Sequence, residues 1–236
     1  MAYKSSDCFV LKSVNYKDAD KIFTLYSKKE GKITAIARGV RKISSKRAGS
    51  LDRLNIVNVN FYESSSGFNT ITEVKNIESF RNIKNDSDLI DIAYKIVFLV
   101  LRHVGEAAPN KVLFDLLSQT LFLLDSSLVV SSAAYAHFLI NFMGILGYSL
   151  ELNKCVVCHR ALSAKWKVPA FSYDFGGIVC DNCKKFEPSV NLKTLALLSK
   201  ARDLQKANFR FYKRGSVHLK EGLDLLGHYV VLKLES

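Results

Sequence analysis

The 236-residue chain is 48% hydrophobic and 24% charged, which suits one to three compact globular units and leaves no low-complexity linker between them. A net charge of +12 makes a polyanion the first partner to consider, nucleic acid ahead of a membrane surface. The excess sits at the two ends: residues 1–80 carry 14 basic and 8 acidic side chains, residues 81–150 carry 5 and 6, and residues 151–236 carry 15 and 8.

Met1 to Asp7 contains no apolar run of the kind a signal peptide needs, and four of five cysteines on one metal would suit a reducing cytoplasm. From there to residue 76 the pattern predicts five short strands: Asp7–Val14, Lys21–Ser27, Lys32–Arg38, Leu54–Tyr62 and Thr70–Lys75. Gly31 allows the tight turn into the third. In the fourth, Val57, Val59 and Phe61 alternate with Asn58 and Asn60, the mark of a half-buried strand. With an irregular or helical insertion (Arg41–Arg53) between strands three and four, the layout is that of a five-stranded OB-fold barrel; a small SH3-like barrel or a meander would give a similar string. Cys8 lies between apolar neighbours and is expected to be a small buried hydrophobe.

At Asp86 the period changes. Asp86-Ser87-Asp88 caps a predicted helix over Leu89–Val104, Pro109 opens Asn110–Leu124, and Ser131-Ser132 caps Ala133–Leu146. Ser126–Leu150 holds no Lys, Arg, Asp or Glu and is long enough to span a bilayer, but its several Ser, with His137 and Asn141, favour a buried helix of a bundle. His103 and His137 fit core or boundary positions. Two further helices are predicted over Leu192–Ala207 and Ser216–Lys233. The expected organisation is a barrel over residues 1–80, a helical bundle over 81–150, an insertion over 151–188, and C-terminal helices over 189–236 that complete the helical domain.

The insertion carries the sharpest motif. Cys155-Val-Val-Cys158 and Cys180-Asp-Asn-Cys183 are separated by 21 residues, which include a hairpin signal at Gly176-Gly177. Two Cys-x-x-Cys pairs at this spacing suit one structural Zn2+ held by Cys155, Cys158, Cys180 and Cys183, with His159 flanking. Four thiolates leave no open position for catalysis. Two disulfides, or a redox pair, would be other uses of the same residues.

Two basic clusters are candidate nucleic-acid contacts. Gly31 to Leu51 holds Lys32, Arg38, Arg41, Lys42, Lys46 and Arg47 with no acid, with Tyr16, Phe23, Tyr26 and Phe61 as candidate stacking rings. Lys206, Arg210, Lys213 and Arg214 form a possible second DNA contact, interleaved with Phe209, Phe211 and Tyr212. No phosphate loop, nucleophile elbow or zincin motif occurs, so a non-enzymatic protein is expected.

The segment Leu25 to Lys42, with its Ala37-Arg38-Gly39 and basic tail, the Leu51–Leu54 lead into the fourth strand and the late cysteine pairs together resemble the RecO family of bacterial recombination mediators over essentially the whole chain. The resemblance implies an OB-fold, a helical domain and a zinc module. It further implies binding of single- and double-stranded DNA, strand annealing, and work with RecR to load RecA onto DNA coated with single-stranded-DNA-binding protein, in the bacterial cytoplasm at the nucleoid. On matching positions Arg38, Arg41, Lys42, Lys46 and Arg47 carry over as the DNA track. The alternative is a zinc-ribbon regulator or scaffold that binds nucleic acid through its basic ends without annealing.

Overall fold

A computed structural model of the chain describes residues 3–43, 45, 47–64, 68–204 and 206–235, in two compact units, 1–115 and 116–236. In the first unit β1 (Tyr3–Tyr16), β2 (Asp20–Ser27), β3 (Gly31–Ala37), β4 (Ile56–Tyr62) and β5 (Asn69–Glu78) close a barrel in the order β1-β2-β3-β5-β4. All pairings are antiparallel except β3 with β5, where Ala35 meets Asn69 and Ile36 meets Thr70 in parallel. This is OB-fold topology. β1 is longer than its hydrophobic pattern predicts because it serves two neighbours: Tyr3–Phe9 pairs with β4 and Cys8–Tyr16 with β2, and a bulge between Val10 and Lys12 turns the strand from one to the other.

Val10, Phe23, Leu25, Val57, Val59, Phe61 and Ile71 fill the barrel, each worth about 1.5–3 kcal/mol in apolar burial. The period of two in β4 holds, with Asn58 and Asn60 on the outer, half-exposed face. Cys8 is fully buried as expected, and burial pushes its thiol up to about 12. Residues 38–55 form no helix among the described residues. The described residues run as successive turns that bury Val40, Leu51 and Leu54 and leave Arg38, Arg41, Lys42 and Arg53 exposed.

Beyond the barrel, a single turn α1 (Arg81–Lys84) precedes α2 (Ser87–His103), whose N-cap Asp86 accepts from the backbone N–H groups of Asp88 and Leu89. The following link then returns to the barrel, the Ala107 N–H donating to the Lys32 carbonyl at 3.0 Å. Gly31, at φ +74°, lies so close that a Cβ there would come within 2.5 Å of the Ala108 backbone. Only glycine meets both demands.

α3 (Lys111–Ser126) spans the division between the units. In the second unit α4 (Ser131–Ile145) packs against α5 (Leu192–Arg202) and α6 (Val217–Leu234). Burial of α4 nearly all round, from Ala133 through Phe138 to Met143, accounts for the uncharged run, and no described helix is long and apolar enough to cross a membrane. α5 stops short of the predicted Ala207 because α4 intercepts its last carbonyls: His137 Nδ1 donates to Ala201 O at 2.8 Å and Asn141 Nδ2 to Arg202 O at 3.0 Å. Burial pushes His137 below its ordinary pKa.

The cysteine-bearing segment 151–190 contains β6 (Ala170–Ser172) paired with β7 (Gly177–Val179), and Phe171 packs edge-on against Tyr229 of α6 at 5.9 Å. Lys165–Val168, just ahead of Pro169, is not a strand. The chain there is drawn toward Pro188–Val190, with the Val190 N–H donating to Pro169 O and the Phe171 N–H to Pro188 O.

Candidate nucleic-acid interface and metal centre

Each Cys-x-x-Cys pair sits in a turn that closes in the same way. The N–H of His159 donates to Cys155 O and that of Lys184 to Cys180 O, both at 2.9 Å. His159 takes the left-handed conformation, at φ +60°. The β6–β7 hairpin folds one turn onto the other, so that the Cys180 N–H reaches Cys155 Sγ at 3.4 Å and all four sulfurs lie within 4.8 Å of one another. His159 is not in this cluster.

A tetrahedral ion with metal–sulfur distances of about 2.3 Å holds its ligands about 3.8 Å apart; Cys158 Sγ and Cys180 Sγ are 3.7 Å apart. The donor set therefore fits a thiophilic metal ion. Burial pushes the Cys180 thiol up, but hydrogen bonds from Arg160, Cys183 and Cys158 outweigh it and hold the group down to about 6. Cys183 moves oppositely, pushed up to about 12 mainly by its hydrogen bonds to Cys158 and Cys180. Sulfurs this close cannot all ionise with only protons to share, and a dication at their centre removes that conflict. Arg160 adds positive charge beside the cluster, paired to Asp181 at 3.4 Å and lying 5.8 Å from the Trp166 ring centre.

The basic stretch of the barrel unit divides into committed and free cations. Lys32 is buried: its ammonium donates to Leu101 O at 2.9 Å and lies 3.4 Å from a Glu106 carboxylate oxygen. Arg47 holds the loop to the barrel, donating from Nη2 to Arg38 O at 2.7 Å and from Nη1 to Ile71 O at 3.1 Å. Arg38, Arg41 and Lys42 are exposed. Lys46 lies outside the described residues. The loop after β3 is fastened to the β1–β2 turn by the Gly39 N–H on Asp20 Oδ1 at 2.7 Å, the Arg41 N–H on Ala19 O at 2.9 Å, and Arg41 Nη1 on Lys17 O at 3.2 Å. This brings in an exposed cation that sequence reasoning passed over, Lys17, whose proximity to Arg41 arises from the β2–β3 pairing between them.

Of the candidate rings, Phe23, Tyr26 and Phe61 are core, and Tyr16 is exposed. Its neighbour is Phe68, also exposed and also missed, at 6.2 Å between ring centres.

In the second unit Lys193, Lys200, Lys213, Arg214 and His218 surround a hollow of about 620 Å³ floored by Leu197 and Phe211, with no acidic side chain among the described residues that line it. Lys213 and Arg214 belonged to the predicted second cluster; Lys193 and His218 come to it from α5 and α6. Arg210 is exposed 5.1 Å from the Phe211 ring centre, and Lys206 lies in the 3₁₀ turn Lys206–Phe211. Tyr212 is buried, its hydroxyl donating to Leu197 O at 3.0 Å.

Sequence profiles described as Recombination protein O N terminal and Recombination protein O C terminal match residues 1–80 and 86–236. A DNA repair protein RecO from Dehalococcoides mccartyi strain BAV1 is 33% identical over 175 residues, covering 74% of this chain and 68% of the relative. The DNA repair protein RecO of Alkaliphilus metalliredigens is 26% identical over 233 residues, covering 96% and 92%, and that of Rhodopirellula baltica 26% over 196 residues, covering 83% and 72%. With an OB-fold barrel first, helices after it, and both halves matched along nearly the whole chain, the protein belongs to the RecO family of DNA repair proteins.

Proposed function

We propose that this protein is a recombination mediator that binds single- and double-stranded DNA and anneals complementary strands without catalysing a covalent step. The observation that carries the reading is the group of exposed cations Arg38, Arg41 and Lys42, fastened beside Lys17 at one end of the barrel. Annealing requires that two phosphate backbones approach; exposed cations lower that repulsion, and base pairing supplies the driving force. Lys32 is buried on the Leu101 carbonyl and Arg47 is half-buried between Arg38 O and Ile71 O, so their part is to hold the loop rather than to meet phosphates, whereas Arg41 donates to Lys17 O and still stands exposed. The hollow around Lys213 and Arg214, with the exposed Arg210, is the second anion contact in this reading.

Family membership supports RecR and single-stranded-DNA-binding protein as partners, and RecA loading as the outcome, in the bacterial cytoplasm at the nucleoid. The four-cysteine centre holds one structural Zn2+, since the sulfur spacing matches zinc–thiolate geometry and no ligand position is left open.

The test is annealing of two complementary oligonucleotides coated with single-stranded-DNA-binding protein, followed by fluorescence without any nucleotide. Wild type should accelerate annealing, and Arg38→Glu/Arg41→Glu/Lys42→Glu should abolish the acceleration while the fold is retained. Binding without annealing, with preference for one duplex site, would instead establish a zinc-ribbon regulator or scaffold.

A further inference from the structure

Two of the barrel's exposed rings meet at one place. Tyr16 ends β1, and Phe68 immediately precedes β5. Their centres are 6.2 Å apart with planes inclined at 76°, and they are 36% and 45% exposed. Two large rings left open to solvent in edge contact contrast with Phe23, Tyr26 and Phe61, which the barrel buries. The two rings come from different connections, β1–β2 and β4–β5, the loops through which OB-folds grip oligonucleotides.

The cations stand around them. Lys17 Nζ lies 5.5 Å from the Tyr16 ring centre, and Arg41 Nη1 donates to the carbonyl of Lys17, which sets its guanidinium against the same turn. Arg38 and Lys42 are exposed on the adjoining loop, and Asp18 is the exposed acid of the turn. Exposed ring faces, set nearly perpendicular to each other and bordered by cations, suit a ligand made of flat apolar rings joined by anions. Duplex DNA hides its base faces in the stack, and only an unpaired strand can offer them.

We propose that Tyr16 and Phe68 form a base-stacking platform that selects unpaired over paired nucleic acid, with Lys17 and Arg41 holding the phosphates on either side of the stacked bases. This deepens the mediator reading and rests on it: the cations supply affinity for any strand, and the rings decide which form of strand is held. Both rings are exposed, so replacing them leaves the barrel core untouched.

The test compares binding of oligothymidylate and of a duplex of mixed sequence to wild type, Tyr16→Leu, Phe68→Leu and Tyr16→Phe. Each leucine variant should weaken oligothymidylate binding by roughly 5- to 100-fold and leave duplex binding within about twofold, the phosphate contacts being intact; Tyr16→Phe should behave as wild type. A direct readout is Phe68→Trp, whose emission should be quenched by oligothymidylate and not by duplex; the chain's single tryptophan, Trp166, is buried and supplies a constant background. Equal losses for both DNA forms, or none for either while wild type binds, would overturn the platform. If wild type and Arg38→Glu/Arg41→Glu/Lys42→Glu bind alike, the cation track fails instead, whatever the rings do.

Discussion

Salt dependence separates the free cations from the committed ones. Binding that neutralises Z phosphates of a single strand falls with salt at a slope of about −0.7Z in log–log terms. Lys17, Arg38, Arg41 and Lys42 are exposed at the loop end of the barrel and, on the proposed reading, would supply about four such contacts, a slope near −2.8. Between about 50 and 200 mM salt they account for a loss of about 50-fold in affinity. Arg38→Ala/Arg41→Ala/Lys42→Ala should flatten the slope by about 2.1 and shrink that loss to under about threefold, over any constant contribution from the second unit. Lys32→Met should leave the slope unchanged, because the Lys32 ammonium already serves Leu101 O and Glu106 from a buried position. Its effect should be on the melting temperature, through the carbonyl it deserts. Anisotropy titrations of a labelled oligothymidylate at four or five salt concentrations measure all three proteins. If Lys32→Met flattened the slope as much as one of the exposed residues does, the division between structural and free cations would be wrong.

Metal analysis of the purified protein should find one zinc per chain, and Cys155→Ser/Cys180→Ser should lose it, together with order in the segment around β6 and β7, read by proteolysis; retention of metal by that variant would break the four-thiolate assignment. Stability should fall on acidification through the histidine range. His137 is held neutral below its ordinary value of 6.5, so between that value and the folded one the unfolded chain binds the extra proton, and up to about 1.4 kcal/mol per pH unit is lost as pH drops, levelling off below the folded pKa. His137→Gln should remove this component from urea melts taken between about pH 7 and 5. Gly31→Ala should destabilise the barrel unit by more than about 2 kcal/mol, since it meets both a left-handed φ and the Ala108 backbone, and a melting curve superposable on wild type would contradict that packing.

The elements were legible where a periodicity exposes them. Alternation in β4, the cap at Asp86 and the paired cysteines each state their structure within a few residues of sequence. What stayed hidden depends on partners far along the chain. Nothing local marks Lys32 as different from Lys42; the distinction comes from Leu101, 69 residues later. Arg47 is likewise defined by Ile71, 24 residues on. The end of α5 was misplaced because its helical pattern continues past Arg202, and what stops it is a pair of side chains on α4. Phe68 follows a Ser-rich run of sequence as an isolated ring and carries no periodic signal; only barrel closure brings it to Tyr16.

The two basic regions also differ in what they can hold, although their compositions are alike. At the barrel, the nearest cation stands 5.5 Å from the Tyr16 ring centre, and both Tyr16 and Phe68 remain open to solvent. In the second unit Lys200 Nζ sits 3.4 Å from the centre of Phe211, covering one face, with Arg210 at 5.1 Å. A ring so covered has that face's attraction satisfied by a cation, and a base would have to displace the ammonium to stack there. On the proposed reading the hollow would take anions alone, and the barrel end anions and unpaired bases together. The proposed mediator role, holding single strands open while tolerating duplex, would call for both kinds of contact, one that discriminates and one that does not.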